Sequence, residues 1–212
     1  MGKVKEMTAQ KKHAELNARE KAEREQQEAI EAIARTADIL KIRRVKGGKD
    51  KVKTCIRYRF ISNNHTTVNF IESDDTPRED FVNTMAELAP HVSKMINKLP
   101  NEVNRQAGMM EVKGVTFATI KDIPYAMVTV TQYLPNGKAF TYTTPAMAME
   151  SADGSPSDTV LDEEMVEVLD RLVEEARHYI AGRRGQPGLF DEHQAEPATE
   201  AVEQEQELVE AE

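Results

Sequence analysis

The stretch 39–62, ILKIRRVKGGKDKVKTCIRYRFIS, decides the fold. It reads as two strands joined around Gly47-Gly48-Lys49-Asp50, a turn-forming cluster. In its second half Val52, Thr54, Ile56, Tyr58 and Phe60 alternate with Lys51, Lys53, Cys55, Arg57 and Arg59. Successive side chains of a strand point to opposite faces, so this alternation sends an apolar set one way and four cations the other. A sheet with one apolar face must be covered on that face, and the flanking sequence supplies the cover.

Downstream, HTTVNFIES (65–73) makes a third strand. The stretch 74–100 then opens a helix, with Thr76 as cap, Pro77 in the first turn and Glu79 completing a capping box. Phe81, Met85, Leu88, Val92, Met95/Ile96 and Leu99 fall on one stripe, and Pro90 is expected to kink or split the helix. Three more strands follow in 109–120, 124–134 and 138–145, the last two joined by Pro135-Asn136-Gly137. After a loop at 151–158, residues 159–181 form a second helix. Its stripe is Leu161, Met165, Val168/Leu169, Leu172, Ala176 and Tyr179/Ile180, and Gly182 stops it. The expectation is an α+β body over 38–182, a mainly antiparallel sheet of five to six strands with two helices on one face.

Upstream, residues 1–37 read as a charged helical arm rather than a coiled coil, because no sustained heptad appears. Glu15/Arg19, Glu20/Arg24 and Glu31/Arg35 lie at helical spacing. Apolar residues gather only at its end, at Ile30, Ile33, Ala34 and Ala37, which predicts that the last turns dock on the body.

The net charge of −9 is unevenly placed. Residues 191–212 hold nine of the 37 acidic residues and no Lys or Arg, so the remaining 28 match the chain's 28 basic residues. That tail has the composition of a disordered, solvating spacer, with self-inhibition of the basic hairpin as its functional alternative. Residues 41–59 concentrate positive charge, with Asp50 as the single acid among them. No apolar run approaches the roughly 18 residues of a membrane span. One cysteine, Cys55, rules out an internal disulfide and points to a cytoplasmic home, in a bacterial host on the resemblance given below.

Chemistry is scarce in the linear pattern. His13, His65, His91, His178 and His193 are scattered, with no pair at metal-ligand spacing. Gly47-Gly48 lacks the Lys-Ser/Thr of a phosphate loop, and Cys55 sits mid-strand without a thiol-enzyme signature. Asp158, Asp162, Glu163 and Glu164 are accounted for by a helix N-terminus. No enzyme, cofactor or metal site is expected. The first functional candidate is the basic hairpin, where Lys41, Arg43, Arg44, Lys46, Lys51, Lys53, Arg57 and Arg59 could track the phosphates of single-stranded DNA. A solvated sheet face explains the same residues.

The second candidate is Gln186-Pro187-Gly188-Leu189-Phe190, within a linker at 183–190. It resembles the Gln-x-x-Leu-Phe pentapeptide by which bacterial replication and repair proteins bind the DNA sliding clamp, departing from it at Pro187 and Gly188. The resemblance implies that Leu189 and Phe190 enter an apolar clamp pocket while the Gln186 amide bonds at its rim, with 183–185 as tether. The competing reading is that Phe190 packs back on the body. LAPHV (88–92), VKGVTF (112–117) and LDRLVEEARHYIAGRRGQPGLF (169–190) resemble a group of small uncharacterised proteins of bacteriophages and bacterial mobile elements, over about residues 38–190. That implies a non-enzymatic accessory or regulator of DNA replication or recombination. The alternatives are a single-stranded DNA-binding module built on the hairpin, and an inhibitor that blocks host replication by occupying the clamp pocket.

Overall fold

The computed structural model describes residues 2–46, 51–62, 65–96, 100–151 and 159–185. Helix α1 (Gly2–Thr36) leads into strands β1 (Asp38–Lys46), β2 (Val52–Ser62) and β3 (His65–Ser73). Helices α2 (Glu79–Ile96) and α3 (Pro100–Ala107) follow, then β4 (Met110–Ile120), β5 (Ile123–Tyr133), β6 (Ala139–Thr143), the two-residue β7 (Met147–Ala148) and α4 (Glu163–Ile180). All strands join one antiparallel sheet in the order β3-β2-β1-β4-β5-β6, with β7 beside β5. The fold is therefore the expected α+β class, with the short α3 and β7 added.

The order reads alike from either edge inward: two three-stranded meanders meet at β1 and β4, and each is followed by an 18-residue helix. The joint is short, pairing Lys41 with Thr116, Ile42 with Val115 and Arg43 with Gly114. It is also tight, because a Cβ on Gly114 would press into the Ile42 carbonyl oxygen. Glycine is what lets the two backbones approach.

Ile42, Ile56, Tyr58, Val112, Val115, Val128 and Val130 form the buried face of the sheet. Phe81, Met85, Leu88 and Val92 of α2 cover it together with Met165, Leu169, Leu172, Ala176 and Tyr179 of α4, forming one core. The apolar stripe of α2 is buried as expected except at its end, where Met95 and Ile96 are exposed; Leu99 lies outside the described residues. Pro90 sits on the solvent side and the helix runs through it unbroken. Thr76 is not the cap. Its carbonyl accepts the Gly185 N–H (2.8 Å) and Pro77 is buried, so the helix opens later, at Glu79.

At α4, the side chain of Asp162 accepts from the Met165 N–H (2.8 Å) and so caps the helix. Lys94 Nζ stands 2.9 Å from the same carboxylate and His91 Nδ1 3.3 Å. Partial burial works to raise the Asp162 pKa. The Lys94 and Met165 hydrogen bonds and the His91 charge outweigh it, leaving the carboxyl below its ordinary value.

Two hairpins show their turn chemistry. Lys121 and Asp122 both take positive φ (53° and 64°) in the two-residue turn between β4 and β5. Gly137 (φ 76°) closes the β5–β6 turn, with Asn136 Oδ1 accepting from the Lys138 N–H (3.1 Å). The Gly47–Asp50 turn lies outside the described residues, although β1 and β2 pair up to Lys46 and Val52 on either side of it.

The last turns of α1 dock as the sequence predicts. Ala34 and Ala37 are buried, and Gln27 Nε2 donates to the Ala181 carbonyl (3.0 Å), while residues 19–29 are exposed. Glu31 pairs with Arg35 (3.6 Å); Arg19 instead turns to Glu23 (2.8 Å). Among the described residues, no helix is long and apolar enough to cross a membrane.

Candidate nucleic-acid interface

The face of the sheet turned away from the helices carries the cations. On β2 the alternation holds: Thr54, Ile56 and Tyr58 are buried toward the helices, while Lys53, Cys55, Arg57 and Arg59 point the other way. On β1 strict alternation fails. A bulge at Leu40, between Ile39 paired with Tyr58 and Lys41 paired with Arg57, resets the phase. Both Ile39 and Ile42 consequently reach the core, and Lys41, Arg43 and Val45 emerge on the open face.

The same phase sends Arg44 to the helix side, opposite buried Thr54, with its Nε buried and unbonded. Arg44 therefore does not join Lys41 and Arg43 in one surface. Lys46 and Lys51 are exposed at the hairpin end of the strands, Lys46 within reach of the Glu111 charge.

Of the five cations on the face, two are neutralised locally. Lys53 Nζ lies 2.9 Å from Glu72 and 3.7 Å from Asp74, and the Glu72 hydrogen bond raises its pKa. Arg59 forks onto Asp38, the first residue of the neighbouring strand. Lys41, Arg43 and Arg57 have no ion-pair partner among the described residues. Register sets them in two rows across the sheet. One row runs Phe70, Arg57, Lys41, Thr116, Met127; the next runs Glu72, Cys55, Arg43, Gly114, Thr129, Thr143.

Lys41, Arg43, Arg57, Cys55 and Phe70 border a shallow depression of about 510 Å³ lined only by β1–β3 residues. Phe70 is 60% exposed and lines the depression together with Arg57, its register partner. Nothing in the alternation of β2 announces it, because it comes from β3. The signal in the sequence is the placement of Val68, Phe70 and Glu72 at every second residue of 65–73. On the far half of the face the functional groups are hydroxyls, where Thr129 meets Thr143 (2.9 Å) and Thr131 meets Thr141 (2.8 Å).

Cys55 lies at the centre of the depression. Burial pushes its thiol pKa up and Glu72 adds to that, against Arg43 and Lys53, which favours the protonated thiol over the thiolate. A second concavity of about 970 Å³ opens between the end of α2, β6 and the start of α4, bordered by Met95, Phe140, Tyr142, Leu161 and Met165. Among the described residues no three His, Cys, Asp or Glu side chains group as a metal site.

Gln186, Leu189 and Phe190 lie outside the described residues, as do 191–212. The residues just before them are placed, and they do not form the free tether expected of 183–185. The Arg184 guanidinium stacks 3.5 Å over the Tyr179 ring and reaches Asp75 at 3.3 Å. Gly185 is seated so closely on Pro77 that a Cβ would stand 2.6 Å from its carbonyl oxygen. Tyr179 itself is anchored, its hydroxyl donating to the Asp75 carbonyl (3.0 Å). Gly185, the last described residue, is thus held at a fixed point three residues past the end of β3, on Thr76.

Comparison with protein-family models, with characterised proteins and with solved structures finds no match to this chain.

Proposed function

We propose that the protein is a non-enzymatic accessory of bacterial or phage DNA metabolism whose sheet face, on the side away from α2 and α4, holds single-stranded DNA. The observation that carries this is the set of three cations, Lys41, Arg43 and Arg57, without an ion-pair partner among the described residues, in adjoining register positions beside exposed Phe70. Cations free of protein partners are the ones that neutralise phosphates and release counterions. An exposed ring on a sheet suits an unstacked base, which a duplex does not offer. The hydroxyls of Thr116, Thr129 and Thr143 extend the same rows with donors and acceptors.

The test is amide shift mapping of the full chain titrated with oligothymidylate. Shifts are expected along the two rows, at Lys41, Arg43, Arg57, Phe70 and Gly114, and are expected to vanish in the triple variant Lys41→Ala/Arg43→Ala/Arg57→Ala. Shifts elsewhere, or none at all, refute the reading.

A second reading, compatible with the first, is that Gln186-Pro187-Gly188-Leu189-Phe190 binds a bacterial sliding clamp. It is favoured by the anchoring of Arg184 and Gly185, which fixes the residues directly before the peptide. Such a peptide tethers the protein to the clamp or, equally, blocks the pocket against a host polymerase. Binding to purified clamp that is lost in Leu189→Ala/Phe190→Ala is the expected result; equal binding by both chains refutes it.

A further inference from the structure

We infer that the acidic segment 191–212 seats on the open sheet face of its own chain and competes there with nucleic acid. This rests on the reading of that face as the DNA interface and adds its regulation.

Charge complementarity is the first argument. The segment carries nine carboxylates and no Lys or Arg, while the body it follows is neutral overall. Within that body the face concentrates cations that have no acidic partner among the described residues, at Lys41, Arg43 and Arg57. An acidic chain meets the same three groups that a phosphate backbone would meet.

The exit point is the second argument. Gly185 is hydrogen-bonded to Thr76, four residues beyond Glu72, which ends one of the two rows. Four residues span at most about 14 Å, and the six from Gly185 to Asp191 reach about 20 Å. Contacts trace the route around the β3 edge: Arg184 to Asp75, Asp75 to Ser73 Oγ (2.7 Å), and Asp74 to Lys53 (3.7 Å). Reaching Arg43 from Glu72 adds two strand spacings, about 10 Å. Asp191 therefore comes only as far as the edge of the row, whereas Glu196 and the carboxylates after it, eleven or more residues and about 36 Å of chain from Gly185, can reach Arg43 without any rearrangement of the body.

Tethering makes weak contacts sufficient. Exposed ion pairs contribute little each and are screened by salt. A short linker, however, holds its end at an effective concentration on the order of millimolar, so a seat of millimolar affinity is substantially filled.

The test compares the full chain with a full-length variant in which all nine tail carboxylates are changed to their amides. Two readouts are taken: affinity for oligothymidylate, and the amide spectrum without DNA. The amide variant is expected to bind about tenfold more tightly at low salt, with the gap closing as salt rises. Its Arg43, Arg57 and Gly114 signals should also differ from those of the parent. Equal affinities with identical spectra overturn the inference and leave the DNA reading standing. Spectral differences at the face with no DNA binding by either chain support the seat and overturn the DNA reading. No binding and no difference overturns both. Differences that grow with protein concentration place the tail on a second copy and overturn the intramolecular claim.

Discussion

The number of free cations on the open face fixes how binding should respond to salt. Eight of the nine basic residues in 41–59 are candidates, but the structure leaves three that share one surface without an ion-pair partner among the described residues. For single strands the logarithmic slope of affinity against salt is about −0.7 per phosphate neutralised. Three contacts predict a slope of about −2, so that raising salt from about 50 to about 200 mM weakens binding roughly 20-fold. Eight contacts would give a slope of about −5.6 and a loss of roughly 2,000-fold over the same range. The assay is fluorescence anisotropy of labelled oligothymidylate with the tail-amide variant, so that the tail does not compete. Lys41→Ala alone should flatten the slope by about 0.7, whereas Lys53→Ala, a residue already held by Glu72, should barely change it. A slope near −5.6, or equal effects of Lys41→Ala and Lys53→Ala, would refute the division into paired and unpaired cations.

Other perturbations probe the frame of the site. Gly114→Ala forces a methyl against the Ile42 carbonyl at the β1–β4 joint and should cost about 1–3 kcal/mol in urea unfolding. Arg184→Ala removes the stack on Tyr179 and the Asp75 ion pair; hydrogen exchange at the Gly185 amide should quicken about tenfold while the core amides hold. The depressed carboxyl of Asp162 stabilises α4 at any pH above the ordinary carboxylate pKa of about 4, and that contribution is lost as pH falls through its lower folded value. Asp162→Asn should therefore be less stable than the parent at neutral pH and converge with it in acid, as read by thermal melts across that range.

The β2 alternation made half of this fold legible, because Thr54, Ile56, Tyr58 and Phe60 pack toward the helices while Lys53, Cys55 and Arg57 line the other face, and the sheet and helices follow from that one pattern. What stayed hidden was the phase of β1. A bulge at Leu40 costs nothing in composition, yet it decides that Lys41 joins Arg43 on the open face and that Arg44 does not. Partnering was hidden as well. Asp38 and Arg59 are far apart in sequence and meet only through the register of β1 and β2, and Glu72 meets Lys53 only through that of β2 and β3. The docking of Arg184 and Gly185 escaped for the same reason: its partners, Tyr179, Asp75 and Thr76, come from two separate elements. The Thr76 capping box was locally sound and lost to that long-range contact. Helix α3 did carry a local signal, Pro100 at its start and Gly108 just beyond its end, but it followed directly on a stronger helix that absorbed it.

The narrow joint between the two meanders has a mechanical consequence. Three residue pairs hold β1 to β4, against eight between β1 and β2 and ten between β4 and β5. The sheet is thus two plates sharing a thin weld, backed on one side by α2 and α4 and, among the described residues, bare on the other. Anything lying along the row from Phe70 to Met127 crosses that weld and acts as a splint on the bare side. Occupancy of the face and cohesion of the sheet are then linked: a ligand bound across the plates must raise the melting temperature by mass action.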